Sequence, residues 1–210
     1  MPIKRIAVPL FIFIATVIVS VTTARADSVT FTIGNNPQSN EENILLNSGA
    51  QGATVFGLTN QTNLQVRFDS STDILVEPSS GQARVEALDG LLNNITLSLP
   101  NGTFTDVILN PFFGSGTADV TVTTSNNQTF TFSYTLTNGQ NFLTIVADPG
   151  TLITSVSITA SGGFTDLRQP RISGAQANVP EPATLLLLGG GLLGLAGAGR
   201  KLRRPRDRKE

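Results

Sequence analysis

The stretch TADVTVTTSNNQTFTFSYTL, residues 117–136, constrains the fold more than any other part of this chain. It alternates side-chain class in two runs separated by Ser125-Asn126-Asn127, the pattern of two half-buried antiparallel strands joined by a tight turn. The habit recurs at residues 29–33, 54–58, 64–68, 74–76, 83–87, 94–99, 104–109, 142–147, 152–159 and 165–172, all rich in Thr, Val, Ile or Phe. Asp89-Gly90, Asn101-Gly102, Asn138-Gly139 and Asp148-Pro149-Gly150 punctuate these runs as turns. Residues 27–178 show neither sustained helical periodicity nor a repeat of fixed period. Many short strands at close spacing predict an all-β fold, an antiparallel β-sandwich of jelly-roll or immunoglobulin-like type, with a closed barrel as the alternative.

The two ends are of another kind. Lys4 and Arg5 precede an apolar run over residues 6–21, followed by Thr22-Thr23-Ala24-Arg25-Ala26 and polar Asp27-Ser28. A charged start, an apolar middle and an Ala-x-Ala site are the pattern of a secretory signal peptide, with Ala24 and Ala26 marking cleavage after residue 26. An uncleaved anchor is the alternative. At the other end residues 183–199 carry no charge. As a helix rising about 1.5 Å per residue they measure roughly 25 Å, the short end of what crosses a bilayer. Arg200, Lys201, Arg203, Arg204, Arg206, Arg208 and Lys209 follow at once. Such a basic stop-transfer tail stays in the cytoplasm. Lys4 and Arg5 keep to that same side during export, so both termini imply one topology, with residues 27–178 outside the cytoplasmic membrane.

That topology separates the charges. The whole chain is near neutral at −1, yet residues 27–178 hold twelve acids against Arg67, Arg84, Arg168 and Arg171, a net charge near −8. An acidic domain of this kind repels polyanions and excludes nucleic acid as a partner.

Val179-Pro180-Glu181-Pro182-Ala183-Thr184, the Leu- and Gly-rich run and the Arg cluster together resemble the tripartite PEP-CTERM sorting signal of exported bacterial proteins. The Pro-Glu-Pro triplet falls at Pro180, Glu181 and Pro182. The resemblance implies that a membrane-embedded exosortase recognises the signal and removes the tail. The protein is then released or passed to the surface of Gram-negative bacteria that make extracellular polysaccharide. The implied partners are the export machinery, signal peptidase, exosortase and extracellular polysaccharide, and before processing the membrane itself. Local physics agrees with that use: Pro180 and Pro182 fix φ and remove two backbone donors, which keeps residues 179–182 extended and accessible to an enzyme. The expected layout is a signal peptide at 1–26, a β-sandwich at 27–172, a linker at 173–178 and a sorting signal at 179–210. Within the last, 183–199 is the transmembrane helix and 200–210 the basic tail.

Composition removes most catalytic chemistry. With no His and no Cys there is no Ser-His-Asp or Cys-His system, no His or thiolate metal site and no disulfide. The lysines are Lys4, Lys201 and Lys209, all in the end segments, so Schiff-base chemistry drops out as well. Paired carboxylates remain, with Glu77, Glu86, Asp69 and Asp73 the first to weigh. Solvated surface acids are the plainer reading. Asp69-Ser70-Ser71-Thr72-Asp73 has calcium-type oxygen ligands but lacks the Gly and terminal Glu of an EF-hand loop. No cofactor is expected.

Three functions follow: a non-enzymatic exported surface or matrix protein associated with exopolysaccharide, a carbohydrate-binding or adhesive module, and a carboxylate enzyme. For the second, Tyr134 shares one strand face with Phe130 and Phe132, a face expected to point into the core. Phe112 and Phe113, in the loop-like Pro111-Phe112-Phe113-Gly114, are the better exposed aromatics.

Overall fold

The structure, a computed structural model, describes residues 26–79 and 83–177. Ala24, Pro180, Glu181, Pro182, Arg200, Lys201, Arg203 and Arg204, together with the apolar runs at 6–21 and 183–199, lie outside the described residues.

In chain order the strands are β1 (Val29–Ile33), β2 (Glu42–Leu45), β3 (Gln51–Gly52), β4 (Thr54–Thr59), β5 (Gln65–Asp69) and β6 (Leu75–Val76). Next come β7 (Arg84–Ala87), β8 (Leu92–Ser98), β9 (Gly102–Thr103), β10 (Asp106–Phe112) and β11 (Thr117–Thr124). β12 (Thr129–Thr135), β13 (Leu143–Ala147), β14 (Ile153–Phe164), β15 (Asp166–Ser173) and β16 (Gln176–Ala177) complete the set. Every pairing among them is antiparallel, and no described residue is helical. The fold is therefore all-β and antiparallel.

The strand order β1-β13-β10-β15-β2-β4-β5-β8-β14-β11-β12 divides into two ladders that meet at β2. Glu42 and Asn43 pair with β15, whereas Ile44 and Leu45 pair with β4. The β14 strand ends at Phe164 in the second ladder, and after one residue β15 begins in the first. Chain corners of this kind let one polypeptide line both layers. The buried side chains form one cluster drawn from both ladders, with Phe68, Leu97, Val120 and Val156 from one and Val85, Leu109, Ile145 and Leu167 from the other. Two layers over one shared core are consistent with a β-sandwich.

Period-two alternation explains which residues enter that core. On β11, Ala118, Val120 and Val122 are buried while Thr117 and Asp119 are exposed. The β11–β12 hairpin runs in unbroken register from Thr117↔Thr135 to Thr123↔Thr129. Its turn puts Asn127 at φ 59°, a left-handed conformation that Asn tolerates better than most residues.

The β1–β2 connection crosses the outer face of the first ladder. There Asn36 N–H donates to Thr144 Oγ1 at 3.0 Å and the Thr144 hydroxyl donates to Gly34 O at 2.8 Å, beneath an Arg171–Glu41 ion pair at 2.8 Å. This strap buries Thr144 completely although it lies on the outward side of β13.

Candidate functional site

The acids singled out in the sequence are each engaged by different neighbours. Asp73 accepts the backbone N–H of Asn93 at 2.9 Å and of Asn94 at 3.2 Å, and the Thr72 hydroxyl at 2.8 Å. Burial pushes its carboxyl up, but the hydrogen bonds from Asn93, Thr72 and Asn94 outweigh that and hold it below the ordinary aspartate value. Glu77, 1 % exposed, joins two segments by accepting Ser48 N–H at 3.1 Å, Ser48 Oγ–H at 2.6 Å and Phe56 N–H at 3.1 Å. Asp69 takes the Thr54 hydroxyl and Arg67, and Glu86 takes Arg84. These carboxylates act as clamps on loops and as ion-pair partners. The Asp69–Asp73 segment uses Asp73 in the same way, as the acceptor that closes its own loop. Among the described residues no cluster of three or more acids is placed to hold a metal.

Glu42 was not legible as a functional acid, yet it is a third clamp: it accepts Gln61 N–H at 3.1 Å and Thr62 N–H at 2.8 Å. Burial raises its carboxyl and the bonds from Thr62, Thr59 and Gln61 together lower it below the usual glutamate value. Nothing in the sequence around residue 42 marks it, because its partners lie about twenty residues away.

The aromatics divide in two. Tyr134 is 6 % exposed and its hydroxyl donates to Asn141 O at 3.2 Å, while burial pushes the phenol well up. It lies beside a cleft of about 230 Å³ that Ile33, Asn35, Thr137 and Gln140 also line. Phe112 is buried against Arg168, whose guanidinium sits 3.5 Å from the ring centroid, so its face is already occupied. Phe113 is half-exposed at φ 48°, a conformation rare for an aromatic residue.

The last strand is the described element nearest the sorting residues. Thr105 donates its N–H to Ser173 O at 3.0 Å and its hydroxyl to the Asp106 carboxylate at 2.9 Å. Gly174, at φ 61°, then turns the chain so that Gln176 and Ala177 pair with Thr103 and Gly102. The Gln176 carbonyl lies where a side chain at residue 102 would start, so only glycine permits this approach. The chain thus stays tied to the β domain through Ala177, and Gly102 serves a strand contact as well as a turn.

From the residue after β16 onward, the PEP-CTERM protein-sorting motif family matches residues 178–204. The chain carries a PEP-CTERM sorting motif. That motif marks an exported, exosortase-processed protein, and the match covers Pro180, Glu181 and Pro182, the residues whose spacing first suggested it. No curated protein matches the chain. Among solved structures, a CBM29-2 variant from the family 29 carbohydrate binding modules overlaps at 10 % identity and a TM-score of 0.32, over 71 % of this chain and 93 % of that one. CBM29_1 from Piromyces equi overlaps at 12 % identity and a TM-score of 0.30, over 70 % of this chain and 91 % of that one. Overlaps this loose assign neither a topology nor a binding residue to this chain.

Proposed function

We propose that this is a non-enzymatic surface or extracellular-matrix protein of a Gram-negative bacterium, sorted by exosortase through its C-terminal tail and associated with exopolysaccharide. Signal peptidase removes residues 1–26 at the Ala24/Ala26 site. The helix at 183–199 holds the precursor in the inner membrane with Arg200, Lys201, Arg203 and Arg204 in the cytoplasm. Exosortase then reads Pro180, Glu181 and Pro182, and the acidic β-sandwich, jelly-roll or immunoglobulin-like, reaches the surface.

The observation that carries this reading is the place of the motif: the match begins at residue 178, directly after Ala177 of β16. The motif and the folded domain share no residue, so removal of the tail leaves every described strand intact. Two residues, Asn178 and Val179, lie between Ala177 and Pro180, three Cα steps that at full extension reach no more than about 11 Å. The domain therefore rides close to the membrane until the tail is cut. The engagement of Glu77, Glu86, Asp69 and Asp73 by separate partners supports the non-enzymatic part.

Intact mass of the protein from its host, wild type against Glu181→Ala, tests the reading. The expected result is loss of residues 1–26 and of the tail in wild type, with the tail kept in the variant. A wild-type mass that still includes residues 185–210 would make the helix a permanent anchor and overturn the exosortase step.

A carbohydrate-binding or adhesive module is the second reading, favoured by the half-exposed ring of Phe113 on its strained backbone. Retention of Phe113→Ala on immobilised host polysaccharide as strong as that of wild type would remove it.

A further inference from the structure

Two strands end the strand order, β1 in one ladder and β12 in the other. Natural edge strands are usually blunted by Lys, Pro, a bulge or an inward charge. Neither VTFTI nor TFTFSYT has a charged residue or a proline, and both pair with their one neighbour without a register shift.

The outward backbone groups can be assigned. Thr124 N–H bonds Gln128 O and Leu136 N–H bonds Gly116 O, each at 2.9 Å, which places the even-numbered residues of β12 in hydrogen-bonded pairs with β11. The alternation of an antiparallel ladder then leaves the N–H and C=O of Thr129, Thr131, Ser133 and Thr135 pointing away from the sheet. On β1 the bonds from Gly34 N–H to Phe142 O and from Asp148 N–H to Ser28 O leave Val29, Phe31 and Ile33 outward in the same way.

Both strands are self-complementary when reversed. About Phe132, antiparallel pairing of two copies sets Thr129 opposite Thr135, Phe130 opposite Tyr134, Thr131 opposite Ser133, and Phe132 opposite itself. Hydroxyl meets hydroxyl and aromatic meets aromatic, the cross-strand pairs that stabilise sheets. The outward residues 129, 131, 133 and 135 fall in the hydrogen-bonded pairs of that register, as they must. About Phe31, Val29 meets Ile33, Thr30 meets Thr32, and Phe31 meets itself, again with the outward residues in the bonded pairs.

The centres of the two palindromes lie together. Phe31 and Phe132 stack with ring centroids 5.2 Å apart and planes 12° from parallel. A two-fold axis normal to the layers that passes beside one ring therefore passes beside the other. We infer that a second copy of this chain docks on the open side of the sandwich, with β12 against β12 and β1 against β1 about one two-fold axis at Phe31 and Phe132. The two charge-free strands let domains of net charge near −8 meet without like charges in the seam. Ile33, 64 % exposed, becomes covered, together with the remaining exposed parts of the partly buried Phe31, Phe130 and Phe132. Because the contact is isologous, it closes at two copies and does not propagate into a fibre.

The absence of native cysteine makes the register directly testable. Chains carrying Thr131→Cys and Ser133→Cys, differently tagged and expressed together in the host, should form a disulfide-linked heterodimer on mild oxidation, since directly opposed residues stand about 5.5 Å apart. Thr131→Cys with Thr135→Cys, which this register does not oppose, should link at least tenfold less. The readout works on the tailed precursor and on the processed protein alike, so it does not depend on exosortase. In parallel, Thr131→Pro removes only an outward N–H, which edge strands tolerate, and should convert a dimer in sedimentation to a monomer. Wild type sedimenting as a monomer throughout the micromolar range, or equal linking in both cysteine mixtures, overturns the inference. If Thr131→Pro also lowers the melting temperature markedly, the cysteine mixtures decide.

Discussion

Asp73 accepts the main-chain N–H of Asn93 at 2.9 Å, twenty residues further along the chain, so a carboxylate at the end of one loop sets where β8 begins. The neighbouring Asn94 N–H and the Thr72 hydroxyl converge on the same oxygen.

Asp73→Asn is therefore expected to destabilise the domain by about 2 kcal/mol, because charge-assisted bonds are lost and the amide group presents a donor to donors. The folded carboxyl lies below its ordinary value, so its contribution is full above the unfolded value near ~3.9 and is lost as pH falls through the folded one. Urea unfolding of both proteins across pH should show the gap closing in acid. A gap that is constant with pH would remove the ionised carboxylate from the explanation.

Asp106 has the opposite sign. Burial raises its carboxyl, the Thr105 hydroxyl partly offsets that, and the charge of Glu41 adds to the rise. The folded state thus holds this proton more tightly than the unfolded chain. The resulting stabilisation is present below the unfolded value near ~3.9 and lost as pH rises through the folded value. Asp106→Asn should melt higher than wild type at pH 7 and match it at low pH. A lower melting temperature at pH 7 would contradict the assignment.

Two arginine pairs that look alike in sequence should differ in worth. Arg168 holds Asp166, which is 1 % exposed, through bonds at 2.6 and 3.0 Å. Arg67 holds Asp69 at 2.8 Å with its own side chain 47 % exposed. Removing Arg168 leaves a buried charge unpaired, so Arg168→Ala should cost about 3–5 kcal/mol. Arg67→Ala should cost under about 1 kcal/mol. Chemical denaturation of the two variants checks the contrast, and similar losses would refute it.

Gly102→Ala should push the Gln176 carbonyl away and release β16 from β9. Because β16 is a two-residue edge strand, the melting temperature should move little while limited proteolysis near residues 174–177 speeds up severalfold. Unchanged cleavage would mean that this strand is held by something other than its pairing with β9.

Alternation and turn residues made much of the fold legible. The strand Val29–Ile33 matches the alternating run at residues 29–33 to the residue, and the β11–β12 hairpin lies where period two and Ser125-Asn126-Asn127 predict it. The short strands β2, β3, β9 and β16 escaped notice because their residues ENIL, QG, GT and QA carry little alternation of their own. They are strands only because a partner supplies the other half of each hydrogen bond. The clamp at Glu42 escaped for a related reason, since its donors at Gln61 and Thr62 come near only once β2 and β4 pair. Phe112 shows the limit from the other side: an aromatic pair in a loop-like segment reads as exposed, but β10 runs to Phe112 and Arg168 covers its ring.

By itself the sequence determined the all-β class, the acidic and cysteine-free character of the domain, and the sorting motif at its end. Each of these rests on local order along the chain, in side-chain period, composition or contiguous residue spacing, and local order survives in a one-dimensional reading. Only the tertiary structure decided which carboxylates are clamps, which arginine guards a buried charge, and that Phe31 and Phe132 stand together between two unblunted edges. Those properties depend on burial and on contacts between residues more than a hundred positions apart, and chain folding alone brings such residues within hydrogen-bonding or stacking distance.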